Sequence, residues 1–169
     1  MKLTLSRRGD YVVRAAICLA GAYGDDHAYR KIREVAAAME LPPSYTPQVL
    51  GILAKAGLAE AKAGRDGGYR LSRSPEAISL LQVVEAAEGE LVSTRCALRG
   101  GPCHWDDVCA LHPAWTKASE AIRGSLGRTS LAEVAAVDRD LAAGKHVATP
   151  PRGHRVPEHP RRTRSGSRV

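Results

Sequence analysis

The chain contains no phenylalanine, and two tryptophans and five tyrosines bring its aromatic content to only 4%. A core without large rings has to close through small side chains, and alanine-rich stretches such as Ala15-Ala16 and Ala36-Ala37-Ala38 supply them. Long apolar runs are also missing. No segment approaches the ~20 apolar residues that a membrane span needs. The apolar run behind Lys2, Arg7 and Arg8 is interrupted by Asp10 and Arg14, which spoils an export signal. A soluble, cytoplasmic protein is the expectation. There is no Gly-rich nucleotide loop, no nucleophile with a paired base and no dyad of acids in an evident pocket, so no enzyme is expected.

What is present begins with charge. The net charge is +7, and residues 145–169 carry +6 of it, with seven Lys/Arg against one Glu. The basicity therefore belongs mainly to the tail, and the high pI says little about a nucleic-acid partner. Beyond Gly144 the composition is Pro, Arg, His, Gly and Ser without periodicity, which predicts a disordered basic tail at 145–169. The 169 residues suffice for one ordinary core and one small module.

Apolar spacing predicts a mainly α fold. A first helix runs over 5–23, with Cys18 on its apolar stripe as a core thiol. A second, short helix covers 29–39, and Leu41-Pro42-Pro43 breaks the chain. A third helix runs to about Ala56. Pro47 is tolerable only in its first turn, so Ser44 or Thr46 is expected as N-cap. Gly64-Arg65-Asp66-Gly67-Gly68 between two short extended runs signals a hairpin. Two short helices, a sharp turn and a basic Gly-rich hairpin form a winged helix-turn-helix pattern over 1–74. Residues 75–144 then read as a helix at 76–88, a cysteine stretch, a long helix from Pro113 to Leu126 and a last helix at 131–142 capped by Ser130.

In the DNA-binding reading, a recognition helix presents the residues of its first turn to base edges while the wing reaches the neighbouring groove or backbone. Ser44, Tyr45, Thr46 and Gln48 are the candidates on the helix, and Lys62 and Arg65 those on the wing. Gln pairs with adenine, and Ser serves either base type. The plainer alternative is a solvated hairpin and an ordinary helix cap.

Three of the four cysteines crowd into one stretch with the spacing C-x6-C-x5-C-x2-H: Cys96, Cys103, Cys109 and His112. In a reducing compartment such clusters bind metal or sense redox state more often than they form disulfides. Thiolates suit zinc and iron–sulfur clusters alike, and three cysteines leave one position for another ligand. His112 and Asp10 are the candidates. Their plainer readings are a histidine at a helix start and an acid favoured by the helix dipole. A structural zinc, a cluster and free or reversibly oxidised thiols all remain compatible with the spacing.

Several segments carry a resemblance: Met1-Lys2-Leu3-Thr4 with Gly9-Asp10-Tyr11-Val12-Val13-Arg14-Ala15, Leu41-Pro42-Pro43-Ser44-Tyr45 through Ala56-Gly57-Leu58, Gly64-Arg65-Asp66-Gly67-Gly68-Tyr69, and Thr94-Arg95-Cys96 through Cys109-Ala110-Leu111-His112. In this order, over about residues 1–140, the chain resembles the bacterial transcriptional regulators typified by IscR and NsrR, the Rrf-two (Rrf2) family. The resemblance implies a homodimeric winged-helix regulator bound to a double-stranded DNA operator, with 113–126 as dimerisation helix. It implies an iron–sulfur cluster, 2Fe–2S or 4Fe–4S, held by Cys96, Cys103 and Cys109. The fourth ligand would be His112, as in the IscR type, or Asp10, as in the NsrR type. Pro47 and Ala63 depart from the IscR type at base-contacting positions, which implies a different target sequence.

Overall fold

The computed structural model describes residues 4–24, 28–91 and 109–145. Over these residues it is mainly α-helical with one antiparallel hairpin. The order is α1 (Arg7–Gly21), α2 (Ile32–Ala38), α3 (Thr46–Lys55), β1 (Ala59–Lys62), β2 (Gly68–Leu71), a 3-10 turn at Pro75–Ala77, α4 (Leu80–Glu88), α5 (His112–Arg128) and α6 (Leu131–Ala142). The expected tail beyond Lys145, together with Cys96 and Cys103, lies outside the described residues.

α1 runs through the centre. Ser6 caps it by accepting from the Gly9 amide at 3.1 Å, and its buried face is Val12, Ala15, Ala16, Leu19 and Ala20. These small residues bring α1 against α3 on one side and α4 and α6 on another. One apolar cluster results, joining Val12, Leu50, Leu53, Leu71, Ile78, Val83 and Leu131. A boundary after residue 74 therefore does not divide the core.

Pro42 organises the turn into α3. Its carbonyl accepts from the amides of Tyr45 and Thr46, both at 3.0 Å, and from the Thr46 hydroxyl at 2.9 Å. The cap position falls to Tyr45 and makes no side-chain hydrogen bond, so neither Ser44 nor Thr46 caps the helix. Thr46 is fully buried. Pro47 sits in the first turn, where a missing N–H breaks no helical bond.

The hairpin pairs Ala59 with Leu71, Glu60 with Arg70, Ala61 with Tyr69 and Lys62 with Gly68. Gly67 has no room for a side chain, because a Cβ there would lie 2.1 Å from the Lys62 carbonyl oxygen. Arg30, just before α2, pairs with Tyr69 through two N–H···O bonds of 2.8 Å and extends the hairpin by one rung.

The expected helix over 76–88 is broken. After the 3-10 turn Ile78 turns extended, and Ser79 restarts the chain as the cap of α4, accepting from the Gln82 amide. The break has a cause in the joint between α5 and α6. Leu131 donates to the Ile78 carbonyl and Leu80 to that of Thr129, each at 2.8 Å. Ser130 caps α6 as its sequence indicates. α5 packs on α4 and buries none of its residues.

A carboxylate ties the start of α1 to the end of α4. Glu88 Oε1 accepts from the Ser6 amide at 3.0 Å and the Ser6 hydroxyl at 2.6 Å. A Cβ on Gly9 would fall 2.1 Å from that oxygen. Gly9→Ala is expected to expel Glu88 and cost about 1–2 kcal/mol in urea unfolding. In a Glu88→Ala background the same substitution should cost far less.

Candidate functional site

Four of the six expected DNA-contact residues stand on the surface. Ser44 and Gln48 are exposed at the start of α3, Lys62 ends β1, and Arg65 lies at the hairpin tip. The other two differ. Tyr45 is half-buried, its ring edge-on to Tyr11 at 6.0 Å between centroids, so it joins α3 to α1. Thr46 is withdrawn from the surface altogether, because its hydroxyl is spent on the Pro42 carbonyl; the expectation that it contacts DNA is corrected here.

The acid of the wing is neutralised in place. Glu60 pairs with Arg70 across the hairpin, and this hydrogen bond raises the Arg70 pKa above its usual value. Tyr29 donates to Glu60 at 3.4 Å and lies under the Arg70 guanidinium at 4.5 Å from the ring centre. Lys62 sits 5.6 Å from the same ring. Among the described residues no carboxylate lies within ion-pair distance of Lys62 or Arg65. Beside them a cleft of about 650 Å³ separates the wing from the start of α2 and is lined by Lys31 and Arg33 as well. The sequence gives no sign of those two, because only the Arg30–Tyr69 pairing brings them to the wing.

Of the five expected metal ligands, Cys109, His112 and Asp10 are described. Cys109 is half-buried just before α5, and its carbonyl accepts from the His112 amide at 3.2 Å. His112 is the first residue of α5. Asp10 lies in the first turn of α1 and pairs with Arg14 at 3.1 Å, while Arg14 also donates to the Met39 carbonyl. Among the described residues no three His, Cys, Asp or Glu side chains converge. Cys18 packs half-buried against the core, as its apolar stripe indicates, and burial raises its thiol pKa.

Glu85 of α4 ties residue 91, ahead of the cysteine stretch, to α5 behind it. Glu85 Oε1 accepts from the Leu91 amide at 3.0 Å and from Arg123 of α5 at 2.5 Å. One oxygen on α4 thus holds the chain entering the stretch and the helix leaving it. Sequence reasoning missed Glu85, since a glutamate on a helix normally reads as a solvated charge.

Residues 5–137 match the family Rrf2, described as an iron-dependent transcriptional regulator. The HTH-type transcriptional regulator IscR of Klebsiella pneumoniae is 28% identical over 132 residues, which are 78% of this chain and 79% of its own. Two solved structures are similar. CymR, the global cysteine regulator of B. subtilis, superposes with a TM-score of 0.68 at 25% identity, covering 80% of this chain and 98% of that one. IscR of T. potens gives a TM-score of 0.64 at 27% identity, covering 84% of this chain and 92% of that one.

Glu85→Ala removes the acceptor of both fastenings. It should lower stability by about 1.5–3 kcal/mol, the range for hydrogen bonds to a charged group. Hydrogen exchange should show the Leu91 amide losing more protection than Val83 in the core, which falls only by the loss of global stability.

Proposed function

The chain belongs to the Rrf2 family of transcriptional regulators, and on that premise we propose that it is a homodimeric DNA-binding regulator whose grip on a two-fold operator is controlled by an iron–sulfur cluster. The observation that carries the DNA reading is the pairing of exposed Ser44 and Gln48 at the start of α3 with a wing that has two acids, Glu60 tied to Arg70 and Asp66 at the tip, beside Lys62 and Arg65. A helix start with free polar side chains suits base edges, and unpaired cations suit phosphates. A second copy of the chain is supported by α5. Its seventeen residues carry Trp115, Ala118, Ala121, Ile122 and Leu126, yet none is buried within one chain.

For the cluster, the support is the spacing of Cys96, Cys103 and Cys109 and the softness of thiolate donors, which suits iron–sulfur chemistry. His112, one turn of chain beyond Cys109, or Asp10 would complete the set. Asp10 would have to leave Arg14 to do so. When bound, such a cluster supplies a removable, redox-sensitive cross-link between its ligands. The protein's own residues would do the rest. Glu85 passes a change at residue 91 to α5, and α4 passes it through the shared core to α1 and α3. Operator half-sites demand a fixed separation of the two reading helices. A preference of ~1–3 kcal/mol between two states of the stretch is enough for control.

Two measurements test the reading. Anaerobically purified protein should be coloured and contain iron and sulfide, and either Asp10→Ala or His112→Ala should alter its visible spectrum. Colourless protein holding one zinc per chain would replace the cluster with a structural metal. On an operator selected from random duplexes, Gln48→Ala should weaken binding by about 1–3 kcal/mol at one base pair of each half-site. Unchanged affinity at every base would remove α3 as the reading element.

A further inference from the structure

The isolated bridge of Arg30 to Tyr69 sets a third backbone segment beside the two-stranded hairpin, and its register can be read across all three. One rung carries Tyr29, Arg70 and Glu60, and its charges are satisfied among themselves. The next carries Lys31, Gly68 and Lys62. Its central position has to be glycine. A Cβ on Gly68 would lie 2.3 Å from the Arg30 carbonyl oxygen, and φ there is +153°, a conformation side-chain-bearing residues rarely adopt. Lys31 and Lys62 therefore flank bare backbone, and both line the same cleft with Arg33 and Arg65, the Lys62 ammonium lying 5.6 Å from the centre of the Tyr29 ring. None of these four cations has a carboxylate within ion-pair distance among the described residues.

We infer that the gap over Gly68 is a seat for a single phosphodiester of the DNA backbone, shared between Lys31 and Lys62. This inference rests on the DNA-binding reading and adds to it a contact that carries no sequence information. A phosphate oxygen is an acceptor with spare lone pairs, and two donors flanking bare backbone leave room for it to approach. The Arg30–Tyr69 bonds make the seat rigid, because they fix the start of α2 to the wing. Arg65 at the tip and Arg33 on α2 lie at the margins of the same cleft. Sharing has a measurable signature. Each phosphate neutralised contributes about −0.9 to the slope of log K against log salt.

The experiment uses the full chain and a 30-base-pair duplex of mixed sequence, with binding measured from low to moderate salt. Lys31→Ala and Lys62→Ala should each weaken binding, and the double variant should flatten the slope by about 0.9 in all. Lys31→Arg should retain the wild-type slope. A double variant that flattens the slope by about 1.8 would mean two separate phosphates and would overturn the shared seat. A slope unchanged by Lys31→Ala and by the double variant would overturn it as well. Failure of the underlying reading looks different: the unsubstituted protein would bind neither this duplex nor any selected operator at low salt.

Discussion

The close approach of α1 to α2, α3, α4 and α6 is the contact on which the fold turns. Its buried face is Val12, Ala15, Ala16, Leu19 and Ala20, and two of the three alanines have no exposed surface at all. With no phenylalanine to act as a spacer, the distance between helices is set by methyl groups. Such an interior has little tolerance for added volume. α3, α4 and α6 all contact α1, so the helix that follows the turn at Pro42 and the helix that carries Glu85 are fixed to a common axis.

Much of this arrangement is legible in the sequence, because local signals determined it. Ser130 followed by Glu133 marks the start of α6, and both side chains bond as a capping pair. The glycines around Asp66 mark the hairpin, and Pro47 restricts where α3 begins. Most of the failures share one physical origin, a partner distant in sequence; Thr46, bonded to Pro42 only four residues back, is the exception. The helix expected over 76–88 breaks because Ile78 bonds to Leu131, fifty-odd residues on. Thr46 looks like a surface hydroxyl until Pro42 folds back over it. Lys31 and Arg33 join the wing only through Arg30, whose pairing with Tyr69 has no local signature. Of the thiolates, Cys109 alone is described, so the spacing remains the basis for reading them together.

Hard and soft chemistry fall in separate stretches of the sequence. The wing and the start of α2 offer Lys31, Arg33, Lys62 and Arg65, fixed cations matched to phosphate oxygens. The cysteine stretch offers polarisable sulfur, matched to iron or zinc. Glu60 and Arg70 cancel one another on the wing, as Asp10 and Arg14 do on α1. With Glu60 cancelled, Asp66 at the tip is the one acid left on the hairpin against Lys62 and Arg65, and Lys31 and Arg33 add to the positive side, so the balance there is positive without help from the basic tail.

The single oxygen of Glu85 that holds both Leu91 and Arg123 gives the molecule a joint without backlash. Separate acceptors would let one end of the stretch drift while the other stayed put. With a common one, a tug on residue 91 competes for the same lone pairs that anchor α5, and slack at either end is felt at once by the other. The same economy makes the joint fragile, since displacing that one oxygen would release both attachments together.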